Sequence, residues 1–487
     1  MKNTEWEFID DLQNRYNTLL RNDSEIENIT SYILKRGENL ELICEFTSDN
    51  IETRPLSKLQ SRRDKHPAGT VRIDDSEIDF GSNYSPDNKI TLSGMISLGR
   101  TTTISISGSS RNKETCRIHR IKSNHEKKNK TAFLIEWVVN LNMSPYIWPN
   151  SLMTERRTKT TKTFSSTDHS ITLSDDKEQS GLSSKCCHIK IQGFNIYFGV
   201  AEESKLNNTQ HPGFIFYEGS PDSEFRTKVR QALSFILGRN ILYLGNSELD
   251  EKLYLVGFEA QTPNSMGGLF IKNPSPPPSR LMRNDSQGFF SDEHVINYMV
   301  EKFVLNYDKY DLNHVSWLYW HAVIAPAHLK AVCFGATLES TQKKFIEKNE
   351  VSFKHSLVDK KLWRDIAKSL HEIINKNEYI DERSKKTLLN KISNLNSTPQ
   401  SLLTENFFEV LGLRLGDKEK KAYSRRNDAA HGNKTPDDNF IDLIRDSKLL
   451  HILCNRVLIS ILALTDNYTD FYTLGHPFRK LSEPVSE

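Results

Sequence analysis

The stretch Asn273-Pro-Ser-Pro-Pro-Pro-Ser279 constrains this chain more than any other feature. Adjacent prolines fix φ and lack the N–H that a helix or a strand ladder requires, so neither element runs through them. On the two sides of this stretch the hydrophobic period differs. Upstream, apolar and β-branched residues form short, mostly alternating runs at 40–47, 89–98, 101–108, 131–139, 188–200, 213–217 and 252–258, the signature of half-buried strands. Downstream, segments 292–310, 313–348, 361–376, 381–395, 401–411, 418–431 and 436–465 favour helix. At 487 residues the chain exceeds one ordinary core. The expectation is an α+β multidomain protein. Residues 1–272 form a β-rich, sandwich- or barrel-like region, 273–284 a proline-rich linker, and 285–487 an all-α helical bundle.

Local signals refine this layout. One helix interrupts the strands near 223–239, where Phe225, Val229, Ala232, Leu233 and Ile236 share a face and Gly238 stands near the end. Two polar stretches, 109–130 and 155–185, read as exposed loops. Pro326 should break the long 313–348 segment. The last helix has Thr435 as N-cap, Pro436 at its first position and Asp438 as a capping-box acid. Its apolar residues Phe440, Ile441, Ile444, Leu449, Ile452, Leu453, Val457 and Ile461 should pack it into the bundle.

Charge and cysteine usage exclude several classes. The formal net charge is +2 with 26% charged residues, so the chain is not coated with positive charge, and any nucleic-acid contact must come from a local patch. No apolar run approaches the ~20 residues of a membrane span, and residues 1–13 lack a signal pattern. The expectation is a cytoplasmic protein with no membrane contact. The six cysteines are scattered without a CxxC pair. Cys186-Cys187-His188 sits in a strand-like run and reads as reduced core. Asp437-Asp438 is explained as a helix start, Asp175-Asp176 as a polar loop, and Gly267-Gly268 as a lone turn. No metal and no cofactor are expected.

The segment that can carry chemistry is Lys418-Glu-Lys-Lys-Ala-Tyr-Ser-Arg-Arg-Asn-Asp-Ala-Ala-His-Gly432. Cutting RNA without a metal needs a base for the 2′-hydroxyl, an acid for the leaving 5′-oxygen, and a fixed cation beside the phosphate. Histidine suits the first two tasks near neutrality, and arginine the third, because its planar fork matches phosphate oxygens. His431 sits at a helix C-terminus stopped by Gly432. Asn427 is its i,i+4 neighbour and can orient the imidazole. Arg426 lies about 140° away around the axis. That offset, and the need for both an acid and a base, are met if two copies present two such helices to one strand. Arg425 offers a second phosphate contact, and Lys421 and Tyr423 an RNA-facing charge and a stacking ring. Arg120…His125, Arg364…His371 and Arg445…His451 share the bare spacing. The first lies in the polar stretch at 109–130, and the other two read as solvated helix faces.

Arg426-Asn427-Asp-Ala-Ala-His431-Gly432 followed by a long apolar helix resembles the HEPN (higher eukaryotes and prokaryotes nucleotide-binding) family, whose hallmark is an arginine, a polar residue and then a histidine. Phe334-Gly-Ala-Thr-Leu-Glu-Ser340 resembles a helix ending found earlier in such bundles. Ala232-Leu-Ser-Phe-Ile-Leu-Gly-Arg239 with the strand at 241–244 is similar to the N-terminal module of ApeA-like anti-phage proteins. The resemblance covers roughly residues 180–470, and only 426–432 is specific. It implies a metal-independent endoribonuclease with a composite site in a homodimer or higher homo-oligomer, acting on RNA (tRNA among the candidates) in abortive infection. It further implies an N-terminal region that senses a phage-derived trigger. In this family Arg426 holds the phosphate, His431 is acid or base, and Asn427 orients. With arginine at both 425 and 426, spacing alone does not fix the catalytic one; the polar residue directly after Arg426 favours that position. A HEPN-like bundle that binds nucleic acid or a nucleotide without cutting is the alternative, and a carbohydrate- or peptide-binding β module with a helical tail is the third reading.

Overall fold

A computed structural model gives the fold. It describes residues 6–24, 26, 28–48, 76–82, 85–104, 110–124, 130–165, 170–201, 206, 210–283, 289–430 and 440–485. The chain divides into two compact units, residues 1–277 with 281–301, and residues 278–280 with 302–487. The chain passes between them within the proline-rich stretch and again inside a helix. Within that stretch Ser275 and Ser279 are buried. In the first unit the Ser275 N–H donates to the Gly238 carbonyl at 3.0 Å; in the second, Pro278 accepts from the Thr469 N–H at 2.9 Å.

The first unit is built on one antiparallel sheet. Its strands are β1 (Tyr16–Asn22), β2 (Ile29–Arg36), β3 (Leu42–Ser48), β4 (Glu77–Ser82), β5 (Ser85–Ile104), β6 (Ser110–Asn124), β7 (Phe133–Val139), β8 (Asn150–Ser165), β9 (Ser170–Ile191), β10 (Phe194–Val200), β11 (Gly213–Glu218), β12 (Leu242–Leu249) and β13 (Leu255–Gln261). The order is β1-β4-β5-β6-β13-β12-β7-β11-β10-β9-β8, with β2 joined through β3 to β6. Strand β6 is the branch point. One edge carries β5, and the other carries β3 over Asn112–Ile118 and β13 over Arg120–Lys122. The sheet folds back on itself here: Tyr32 of β2 meets Phe80 of β4 at 4.1 Å between ring centroids, and the Tyr32 hydroxyl donates to the Tyr16 carbonyl at 2.6 Å. Phe46, Ile78, Ile90 and Ile118 fill the enclosed core.

Farther along the sheet, α1 (Ser223–Leu237) covers β7 and its neighbours. Asp222 caps its start by accepting from the Phe225 N–H, and Gly238 ends it at φ 68. A side chain at Gly238 would be strained, and its Cβ would also meet the Pro276 carbonyl oxygen at 2.5 Å. Beneath α1 the fully buried Glu136 pairs with Arg230, and Arg226 lies 3.6 Å from the same carboxylate oxygen.

Both polar stretches expected to be loops are strands over most of their length. Residues 110–124 form β6, and 155–165 and 170–185 fall in the long paired strands β8 and β9. The run Thr158-Lys-Thr-Thr-Lys-Thr163 has no apolar alternation, but β-branched threonine favours extended backbone, and pairing with β9 satisfies the ladder. Residues 89–98 and 101–104 belong to one strand with a register shift between Ser97 and Gly99, not two. Conversely 188–200 is two strands. Gln192 and Gly193 take φ 49 and 89, as a two-residue hairpin turn of the I′ kind requires.

The helices that follow are α2 (Glu293–Asn306), α3 (Leu312–Ile324), α4 (Ala327–Lys348), α5 (Lys360–Lys376), α6 (Glu382–Asn394), α7 (Gln400–Val410), α8 (Asp417–Ala430) and α9 (Phe440–Leu462), then a small hairpin of β14 (Asn467–Thr469) and β15 (Phe478–Lys480). The break between α3 and α4 falls at Ala325-Pro326. Helices α3, α8 and α9 all pack against α4. Phe334–Ser340 is not a helix ending: it lies mid-α4, because Ala331, Phe334, Leu338 and Phe345 continue a buried stripe. The cost of about 1 kcal/mol for Gly335 does not stop a helix so held. In α9, Leu449, Ile452, Leu453, Val457 and Ile461 are buried as expected, but Phe440, Ile441 and Ile444 are 45%, 63% and 40% exposed. Burial of this helix begins only at Ser447. The N-cap residues Thr435, Pro436 and Asp438 lie outside the described residues.

Candidate functional site

Helix α8 is held firmly at its N-terminal half. Glu419, at its third position, reaches back to accept from the Gly416 N–H at 2.8 Å, half of a capping box. Its other oxygen takes a hydrogen bond from Arg456 of α9 at 2.6 Å. Both side chains are essentially fully buried, at 1% and 0% exposure. Arg456 is further satisfied by the carbonyls of Arg414 and Leu481, at 2.8 and 2.7 Å, and lies over the Tyr468 ring. Charges taken this far from water persist only when paired in this way, here through both terminal nitrogens of the guanidinium. Ala422, three residues on, is buried. Tyr423 meets Phe408 of α7 edge-on at 5.9 Å.

The face of the helix turned away from this pair is open to solvent. Lys418, Lys420 and Lys421 are exposed. Arg425, at 37% exposure, donates to Asp446 of α9 at 3.0 Å. Because Glu419 is consumed internally by Arg456, the outer face of α8 is more basic than a count of its residues implies. Arg426 and Asn427 continue the helical backbone, and their side chains lie outside the described residues, as does all of His431. The structure thus places Lys421, Tyr423 and Arg425 on one anchored helix and carries that helix through Arg426 and Asn427.

Of the other arginine–histidine spacings, Arg364 and His371 are exposed on α5, and Arg120 pairs with Glu259 at 2.5 Å. His125 lies outside the described residues. The third pair departs from a solvated face. Arg445 is exposed and joined to Asp442, but the His451 ring stacks on Phe334 at 4.7 Å and meets Tyr319 and Phe471 edge-on. His451 Nε2 shares a hydrogen bond with the Tyr319 hydroxyl at 2.8 Å, and that hydroxyl also donates to Asn455 Oδ1 at 2.8 Å. Burial, with Lys330 nearby, pushes the imidazole down to about 3, so it is neutral at physiological pH. An aromatic wall on three sides, invisible to spacing, shields the ring and leaves the residue half-buried.

Two further features escaped the sequence reading. Arg456, together with Asn455, interrupts the apolar run Ile452–Ile459, a signal of a buried partner that pattern reading passes over. In the first unit a cleft of about 450 Å³ is lined by Leu141, Asn142, Lys185, Val200, Ala201, His211 and Pro212. Burial and the charge of Arg239 hold the His211 imidazole below its ordinary range. All six cysteines are free thiols, five of them buried. Among the described residues no histidine, cysteine and carboxylate cluster has metal-binding geometry, and no helix is long and apolar enough to cross a membrane. Compared with known proteins, the chain matches no family model, no curated protein and no solved structure.

Proposed function

We propose that this chain is a metal-independent endoribonuclease of the HEPN type, cytoplasmic, working in prokaryotic anti-phage defence with RNA, tRNA among the candidates, as substrate. The observation that carries the reading is the motif Arg426-Asn427-Asp-Ala-Ala-His431-Gly432 at the end of a helix whose root is locked by the Glu419–Arg456 pair and whose outer face is basic. A catalytic group gains from a rigid support, since small misplacement is costly in rate. In this reading the 2′-hydroxyl loses its proton to one imidazole as its oxygen attacks phosphorus. The bond to the 5′-oxygen breaks, and a second imidazole protonates that leaving group, giving a cyclic phosphate and a 5′-hydroxyl. His431 from two copies fills the two roles, and Asn427 orients each ring. Arg425 has a carboxylate partner in Asp446; the polar Asn427 directly after Arg426 favours Arg426 as the phosphate ligand and leaves Arg425, Lys421 and Tyr423 to the flanking RNA. The sheet unit is the sensor of a phage-derived trigger and restrains the helical unit.

The test is to map RNA ends in cells expressing wild type or His431→Ala under triggering conditions, and in purified reactions containing EDTA. Site-specific ends carrying cyclic phosphate, present with wild type and absent with the variant, support the reading. Equal end profiles from the two proteins overturn it in favour of a HEPN-like bundle that binds nucleic acid without cutting.

A further inference from the structure

Helices α5 and α6 form a hairpin closed at its neck by paired backbone. Ser356 bridges Ser397, Asn396 accepts at its carbonyl from the Leu357 N–H at 2.9 Å, and its side chain exchanges hydrogen bonds with the Val358 backbone at 2.9 and 3.0 Å. Asp359 and Asp381 cap the two helices. The hairpin is therefore well specified, yet α5 has no buried residue at all.

At 100° per residue the side chains of α5 segregate completely. Lys360, Lys361, Arg364, Asp365, Lys368 and Glu372 occupy one side, and every apolar residue falls within an arc about 140° wide. Half of that arc (Trp363, Ala367, Leu370 and Ile374) is half-buried and turns toward α6. The other half, Leu362, Ile366 and Ile373, is 50%, 39% and 65% exposed. On α6, Ile392 is buried inward, and Leu388 and Leu395 are 37% and 56% exposed. Both exposed sets are rotated in the same sense, by about 80–90°, from their helix's inward direction. In an antiparallel pair the local twofold runs normal to the plane of the two helices, so equal rotations land on the same side. The hairpin is a slab with one apolar front made by both helices, which is half of a four-helix bundle.

We infer that this front is a self-association surface, on which a second copy of the hairpin lays its own front to complete an intermolecular four-helix bundle. Charge placement selects a second copy as the occupant. Asp365 and Lys391, both exposed, stand at opposite outer edges of the slab, with heights from the neck that differ by about one helical turn, a gap a lysine side chain spans. A twofold axis parallel to the helices sets α5 of one copy over α6 of the other, and brings each Asp365 edge to the partner's Lys391 edge. Two symmetric pairs result. Exposed pairs contribute little energy, so they fix register while the apolar residues supply affinity. The inference rests on the reading above in that it supplies the second copy a composite site calls for. Its test reads molecular mass and not RNA ends, so either fails without the other.

The experiment is sedimentation equilibrium on the full chain, with circular dichroism to verify folding. Wild type should run as at least two chains at micromolar concentration, and Ile366→Glu with Ile373→Glu should lose that association while keeping the helical signal. Asp365→Lys and Lys391→Asp should each weaken association several-fold, and the two together should restore it. A wild type that runs as one chain, an unchanged mass in the double glutamate variant, or a charge swap no tighter than its single changes overturns the inference.

Discussion

Helices α5 and α9 are both amphipathic in sequence and fare oppositely in the fold. α9 buries thirteen of its residues, down to the charged Arg456, whereas α5 buries none. The phase of an apolar stripe says which face wants cover. It does not say whether a neighbour arrives. α9 shows both outcomes in one element, because Ile452 and Leu453 are fully buried while Ile441 and Ile444 are exposed.

The sharpest way to break this comparison is at the Glu419–Arg456 pair. Arg456→Met should destabilise the chain by about 3–5 kcal/mol in denaturant titration, since Glu419 is left charged and unpaired in the interior. Adding Glu419→Leu should recover most of the loss. If the single change is mild, α8 is not rooted as described. Next, Leu453→Ala should cost about 2–5 kcal/mol through the cavity it leaves. Ile366→Ala in dilute protein should stay within about 0.5 kcal/mol, as for an open surface. The cost at Ile366 should grow with protein concentration if the front is covered by association.

A third test uses pH. The His451 imidazole is held near 3 against about 6.5 when unfolded. The unfolded chain therefore binds the extra proton between those values, and this residue's contribution to stability is intact above pH 6.5 and lost as pH falls toward 3. The slope reaches about 1.4 kcal/mol per pH unit. His451→Gln should flatten the stability profile of the helical unit over that window, and an unchanged profile would place the ring in water. A similarly small effect is expected at Arg425→Ala, about 0–1 kcal/mol, because its partner Asp446 is met near solvent. A reduced RNA affinity without a stability change in that variant would separate contact from support.

Much of the helical half was legible because its signals are local. Pro326 marked the α3–α4 break there, as Gly238 marked the end of α1 in the sheet unit, each through backbone geometry that one residue imposes. The polar threonine run of β8 was not legible as strand, since its pairing partner, not its apolar pattern, satisfies its backbone. Of the site, the sequence marked α8 and its basic character. It did not mark the Glu419–Arg456 root, because the two residues stand 37 positions apart and meet only when α8 and α9 pack.

What the sequence determined by itself is the change of period at the prolines, the helix and turn boundaries, and the motif at 426–432, all fixed by steric and hydrogen-bonding rules acting over a few residues. The tertiary structure alone decided which amphipathic faces were covered. It enclosed His451 behind three aromatic rings and left Leu362, Ile366 and Ile373 bare. Burial depends on which distant surface reaches a side chain, and no short-range rule carries that information.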